Sequence, residues 1–371
     1  MNMNSIRSII STTLFVLLLS LSSLAQTSEY TLADFYQFDS ELEYLTDSIF
    51  NTLTDAERIG QMIVTSAGEL GKSNEVVKEL VENNQIGGVV FLKGSKKSHK
   101  QLVGQLNQIS LQNRAIPLLL SMDAEPSLFN GRIKGTEKMM NTIEIKSQQQ
   151  CDSVVKIIDR TLSDIGIHQN FAPVCDVSPN NEAIKDRSFG SNKDTVIELS
   201  KAFIESTQAD NIVATAKHFP GHGLVQGDTH KQSVYIDGEL QELDIYKPLI
   251  EEGVISIMVA HITVRNNEKY NTNNLPSTCS RVIVTGLLKE ELGFKGIIIT
   301  DALNIMKAVT VLDKAPLKAS MAGCDMILMP IEELQTIEWI AEEMKVNPQY
   351  KKQVYQSVKK VLRLKLCLGL V

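Results

Sequence analysis

With 371 residues, 43% hydrophobic and 22% charged, the chain is long enough for one α/β barrel plus a leader, and no second domain is required. A formal charge of −7 and a pI near 5.5 exclude the broad basic face that nucleic acid demands. The cysteines at 151, 175, 279, 324 and 367 are odd in number and scattered, so they are not a disulfide framework, and Cys175 and Cys324 fall in apolar runs where a thiol behaves as a small hydrophobe.

Residues 1–25 read as a signal peptide. Arg7 supplies the positive start, 9–21 is apolar or small, and Ser23-Leu24-Ala25 offers small residues for cleavage before Gln26. The apolar run is shorter than the ~20 residues of a spanning helix, and no later segment reaches that length without charges. Export to the periplasm or the medium is expected, with no stable membrane insertion once the leader is cleaved; a retained N-terminal anchor is the alternative. Residues 26–54 form an extension in which Phe35, Phe38, Leu42, Leu45, Ile49 and Leu53 recur at helical spacing, which predicts a helix packed on the outside of something larger. Thr54-Asp55-Ala56-Glu57 then has the form of a capping box for the next helix.

From 55 to 371, apolar runs alternate with longer amphipathic stretches. The runs are 62–65, 86–91, 116–121, 167–174, 212–216, 254–260, 296–300 and 325–329, rich in Val, Ile and Leu on both faces. That pattern predicts a single TIM-type (β/α)8 barrel; an open doubly wound sheet is the alternative, and the lack of G-x-G-x-x-G after the first run counts against it. Reactive residues follow the runs one after another: Asp123 the third, Asp176 and Arg187 the fourth, Lys217 and His218 the fifth, His261 the sixth, Asp301 the seventh. Barrel enzymes build their sites at the C-terminal ends of strands, so this succession favours an enzyme over a scaffold.

The densest cluster is Lys217-His218-Phe219-Pro220-Gly221-His222-Gly223, with Asp228-Thr229-His230 beyond it. It reads as a strand ending at Ala216 that opens into a polar loop. His218 and His222 are four apart and on a helix would share a zinc-binding face, but Pro220 and Gly221 oppose a helix there, so no metal is expected. The loop could also be purely structural, and Gly-Asp-Thr-His is ordinary turn composition.

This cluster resembles glycoside hydrolase family 3, in particular its β-N-acetylglucosaminidase branch. The likeness extends to Ile86-Gly87-Gly88-Val89-Val90-Phe91, to Asn170-Phe171-Ala172-Pro173-Val174-Cys175-Asp176-Val177, to Arg187-Ser188-Phe189-Gly190 and to Gly293-Phe294-Lys295-Gly296 through Thr300-Asp301-Ala302-Leu303. The resemblance implies a cofactor-free barrel acting on an amino-sugar glycoside. It makes Asp301 the nucleophile, His230 the acid/base oriented by Asp228, and Asp123, Arg187, Lys217 and His218 the sugar-binding residues. His222 is read as support, while Asp176 and His261 are open between sugar contact and support. The alternative for Asp301 is the N-cap of a helix beginning near Leu303. Where the family has Asp-x-Glu-Gly-Gly-Arg, this chain has Asp123-Ala124-Glu125-Pro126-Ser127-Leu128, and Arg132 is the candidate to replace the missing Arg. The expected activity is an exported, exo-acting, retaining β-N-acetylglucosaminidase for peptidoglycan fragments or related glycosides. A β-glucosidase or phosphorylase of the same family, or an inactive sugar-binding barrel, are the alternatives.

Overall fold

The computed structural model describes residues 30–177, 181–225 and 234–371. The proposed leader, Asp228 and His230 lie outside the described residues. Each of the eight runs supplies a strand: β1 Ile63–Ala67, β2 Gly88–Phe91, β3 Leu119–Met122, β4 Gln169–Asn170, β5 Val213–Phe219, β6 Ser256–Val259, β7 Ile297–Thr300 and β8 Ile327–Leu328. The order is β7-β6-β5-β4-β3-β2-β1-β8 and every pairing is parallel. The ring closes where Ile299 bridges Met326, with Met326 N donating to Ile298 O (3.0 Å) and Thr300 N to Met326 O (3.1 Å). The fold is a (β/α)8 barrel.

Helices fill the crossovers: α1 Ser40–Thr52 precedes the barrel, then α2 Asn74–Glu82, α3 Lys96–Gln112, α4 Gln148–Ile165, α5 Lys193–Ala209 and α6 Tyr246–Glu251. A π-helical segment, Val282–Glu291, links β6 to β7; α7 Ala315–Ala322 precedes β8, and α8 Glu333–Val346 and α9 Pro348–Cys367 follow it. The capping box is formed: Thr54 Oγ1 accepts Glu57 N (3.3 Å) and Glu57 Oε2 accepts Thr54 N (2.8 Å). Side chains alternate along the strands, as period two requires. Val64, Val90, Leu119, Met258, Ile297 and Ile299 fill the barrel, while Ile63, Val89, Leu120, Ile257 and Ile298 face the helices.

Two departures from the sequence reading bear on the site. The run 167–174 gives a β4 of only two residues, because Pro173 has no N–H and the chain leaves the ladder there. Conversely, β5 does not end at Ala216 but continues to Phe219, so Lys217 and His218 are strand residues. The exit of β4 supplies the missing partners: Lys217 N donates to Pro173 O (3.1 Å) and Cys175 N to Lys217 O (2.6 Å). The register against β6 shifts between Ala216 and Phe219.

The segment before the barrel and the end of α9 cover the N-terminal mouth. Tyr36 Oη donates to Val254 O (2.6 Å), Lys360 Nζ to Gly296 O (2.8 Å) and Lys365 Nζ to Gly87 O (2.8 Å), all just ahead of strands. Arg363 donates to Phe35 O (2.8 Å), Asp34 O (2.9 Å) and Gln37 O, and pairs with Glu43 (2.6 Å). All five cysteines are free and buried. Among the described residues no helix is long and apolar enough to cross a membrane.

Candidate active site

A cleft of about 670 Å³ opens at the C-terminal ends of the strands. Val90, Phe171, Met258 and Leu328 bring the barrel's apolar filling up to it. Asp123, Arg187, Lys217, His218 and Asp301 all line it, so the structure gathers five of the seven expected site residues in one cavity. The other two, Asp228 and His230, are outside the described residues.

Asp123 and Glu125 leave the end of β3, and Lys217 comes across from β5 to bridge them. Its Nζ lies 2.9 Å from Asp123 Oδ1 and 2.5 Å from Glu125 Oε1. Arg187 grips Glu125 as a fork, Nε to Oε2 at 2.8 Å and Nη2 to Oε1 at 2.7 Å, and its Nη1 donates to Ala183 O (3.1 Å). Burial opposes the Glu125 charge, yet Arg187 and Lys217 outweigh it and hold the carboxyl far below its usual range. Asp123 follows the same balance: burial against it, Lys217 and Arg132 for it, with the carboxyl held low. Sequence reasoning missed Glu125 as a hub; the available signal was that it is the one residue after Asp123 that keeps the family pattern.

The altered loop has its own geometry. Leu128 N and Phe129 N turn back to Glu125 O (2.9 and 2.8 Å), and Ser127 Oγ donates to Asp186 O (2.8 Å). A single helical turn, Phe129–Arg132, follows and brings Arg132 Nη2 to 3.2 Å from Asp123 Oδ2. Arg132 lines the cleft.

At the exit of β4, Asp176 is fully buried and collects three groups of the β5 exit. Its Oδ2 lies 2.6 Å from His218 Nδ1, and its Oδ1 accepts His222 N (2.7 Å) and His218 N (3.3 Å). The carboxylate engages Nδ1, which leaves Nε2 of His218 for a ligand. Asp176 is therefore support for His218. The two histidines are on no common helix; their rings meet edge to face at 5.9 Å. Among the described residues no group of three or more His, Cys, Asp or Glu could hold a metal ion.

Asp301 follows β7 and is tied by its own N–H to Val259 O (3.0 Å). Burial works against its charge, but His218, His261, the Ala302 N–H and Lys217 outweigh it and keep the carboxyl below the usual range. No helix begins near Leu303: Leu303 N is taken by Leu328 O (3.1 Å), which carries the chain along β8 first, and the next helical turn is Lys307–Thr310. Asp301 Oδ1 accepts the N–H of Ala302, its immediate neighbour (2.7 Å), so it is not a helix cap. His261 is a support as well. It is buried, with Nδ1 on Thr278 Oγ1 (2.6 Å) and Nε2 on Ala302 O (3.2 Å).

Beyond His222 the chain is irregular, and side chains from elsewhere take up its backbone groups. Asn181 Nδ2 donates to His222 O (3.0 Å) and Val225 O (2.6 Å), while Glu242 accepts Gly223 N (3.2 Å) and Leu224 N (3.1 Å) together with Val177 N (2.8 Å). Neither Asn181 nor Glu242 was singled out from the sequence, since neither stands in a motif. Burial, then the Asp176 charge, push Glu242 up to about 7 against the pull of the three N–H groups.

Residues 54–364 match the model of the glycosyl hydrolase family 3 N terminal domain, and the chain belongs to that family. A beta-hexosaminidase of Vibrio cholerae serotype O1 is 31% identical over 268 residues, which are 68% of this chain and 77% of that protein. Beta-hexosaminidase A of Pseudoalteromonas piscicida is 27% identical over 332 residues, 78% of this chain but 54% of its own length. Among solved structures, a glycoside hydrolase family 3 beta-N-acetylglucosaminidase from Paenibacillus sp. str. FPU-7 superposes with a TM-score of 0.78 at 26% identity, over 86% of this chain and 63% of that one.

Proposed function

We propose that the protein is an exported, exo-acting, retaining β-N-acetylglucosaminidase that removes terminal N-acetylglucosamine from peptidoglycan fragments or related amino-sugar glycosides. The observation that carries this reading is the part-buried Asp301 carboxyl, held below its usual range in a cleft it shares with the fixed Asp123–Lys217–Glu125–Arg187 array. The names of the family relatives support the choice of amino sugar. Asp123, Lys217, His218 and Arg132 bind the sugar hydroxyls, with Arg187 acting chiefly through Glu125. Asp301 attacks the anomeric carbon as the glycosidic bond breaks, and the leaving oxygen takes its proton from His230, whose charged form is stabilised by Asp228. Water, deprotonated by the now neutral His230, then releases the sugar from Asp301.

Protonation helps most when the leaving oxygen is a poor one. His230→Ala is expected to lose activity on a disaccharide by about the 10²–10⁴ of a general acid, and clearly less on a nitrophenyl glycoside. Equal losses on both overturn the acid role. Proton NMR of the first-formed sugar should show the β anomer; the α anomer first overturns Asp301 as nucleophile. Formation of a sugar 1-phosphate in phosphate buffer would replace hydrolysis by phosphorolysis.

A further inference from the structure

We infer that Glu242 is a positioning residue of this site: its carboxylate locks the Gly223–Leu224 backbone against Val177 and so sets where the segment that runs on to Asp228 and His230 begins. The inference rests on the acid/base reading of that pair given above. Buried backbone N–H groups outside helices and sheets need partners, and here the four residues His222–Val225 are served by Asp176, Asn181 and Glu242, all buried. Glu242, which belongs to neither exit, accepts from both, with one oxygen taking Val177 N and Gly223 N and the other taking Leu224 N. The contact is close enough that a Cβ on Gly221 would stand 2.5 Å from Glu242 Cβ, and Gly221 sits at φ +129°. Glu242 is placed for its carboxylate, since a carboxylate accepts at both oxygens and an amide does not.

Protonation turns one Glu242 oxygen into an O–H donor and a poor acceptor, so at least one of the three N–H groups is held less well. The anchor is complete above the Glu242 pKa of about 7 and is weakened as pH falls through it. Asp176 on the β4 exit and Tyr246 on α6 interact with Glu242 electrostatically, and the titratable Cys175, His218 and His222 lie on the same two strand exits. Burial lowers His222 and raises Cys175 and Tyr246; at Asp176 burial is outweighed by the histidines, which hold it low.

The test compares wild type with Glu242→Gln and Glu242→Asp on a β-1,4-linked N-acetylglucosamine disaccharide and on its nitrophenyl glycoside, from pH 5.5 to 8.5. Glu242→Gln can serve at most two of the three N–H groups. A loss on the order of tenfold in kcat/KM on the disaccharide is expected, the cost of one unsatisfied buried N–H, with a smaller loss on the aryl substrate and a flattened acid limb near pH 7. Glu242→Asp should restore part of that limb, which a merely structural residue would not do. A folded Glu242→Gln enzyme with unchanged rates and pH profile overturns the inference and leaves the proposed function standing. Should Glu242→Gln not fold, the amide of Leu224 in selectively labelled wild type decides: a chemical shift titrating near pH 7 supports the anchor, and a flat line overturns it. A wild type without activity on either glycoside refutes the proposed function, while the same amide titration still decides whether Glu242 holds the Leu224 backbone.

Discussion

Glu125, 1% exposed, is the residue on which Lys217 and Arg187 both depend, and its removal should be felt first in stability. Breaking a buried pair leaves an uncompensated charge, so Glu125→Ala is expected to cost about 3–5 kcal/mol in urea unfolding. Arg132→Ala should behave differently. Arg132 is one-quarter exposed on the cleft wall, and its Nε has no partner among the described residues. A rise in KM with nearly unchanged kcat and stability is expected; an unchanged KM removes Arg132 from the sugar's contacts. Asp123, Lys217, His218 and Asp301 were legible because chemistry restricts which residue types can serve at strand ends. Glu125, Asn181 and Glu242 were not, since what they do is defined by partners on other loops, and nothing local to them in the sequence names those partners.

Helices α4 and α5 pack against each other, Cys151 Sγ approaching Leu199 O at 3.6 Å, and Asp159 on α4 is completely buried. Burial, then the Asp210 charge, push the Asp159 carboxyl up to about 8 against the weaker pull of the Thr207 hydroxyl. In the unfolded chain the same group ionises near the ordinary carboxylate value of about 4. Between those two pH values the unfolded state gives up the proton and the folded state keeps it, so stability falls as pH rises across the window. Asp159→Asn stays neutral throughout. It should match wild type in melting temperature near pH 4 and exceed it by a few degrees near pH 8; equal values at both would mean that Asp159 is ionised at no cost. The pattern of apolar runs located all eight strands, but not the stopping points of β4 and β5. Those are fixed by Pro173 and by hydrogen bonds between two strand exits, which no single run contains.

Across the whole molecule, the barrel carries its cleft at one mouth and is covered at the other by the 30–52 segment and α9. Arg363 joins these two parts through Phe35, Asp34, Gln37 and Glu43. Arg363→Ala should let a protease cut within 30–52 at concentrations that leave the barrel intact; simultaneous loss of both would show that the cover and barrel unfold as one unit. The clasp also orders events during synthesis. Phe35 and Arg363 are 328 positions apart, which at ~5–20 residues per second separates their emergence from the ribosome by roughly 20–60 s. Through that interval the apolar side chains of Leu32, Phe35 and Leu42 wait for the helix that will cover them, so the part of the described fold made first is the last to be shielded from chaperones and proteases.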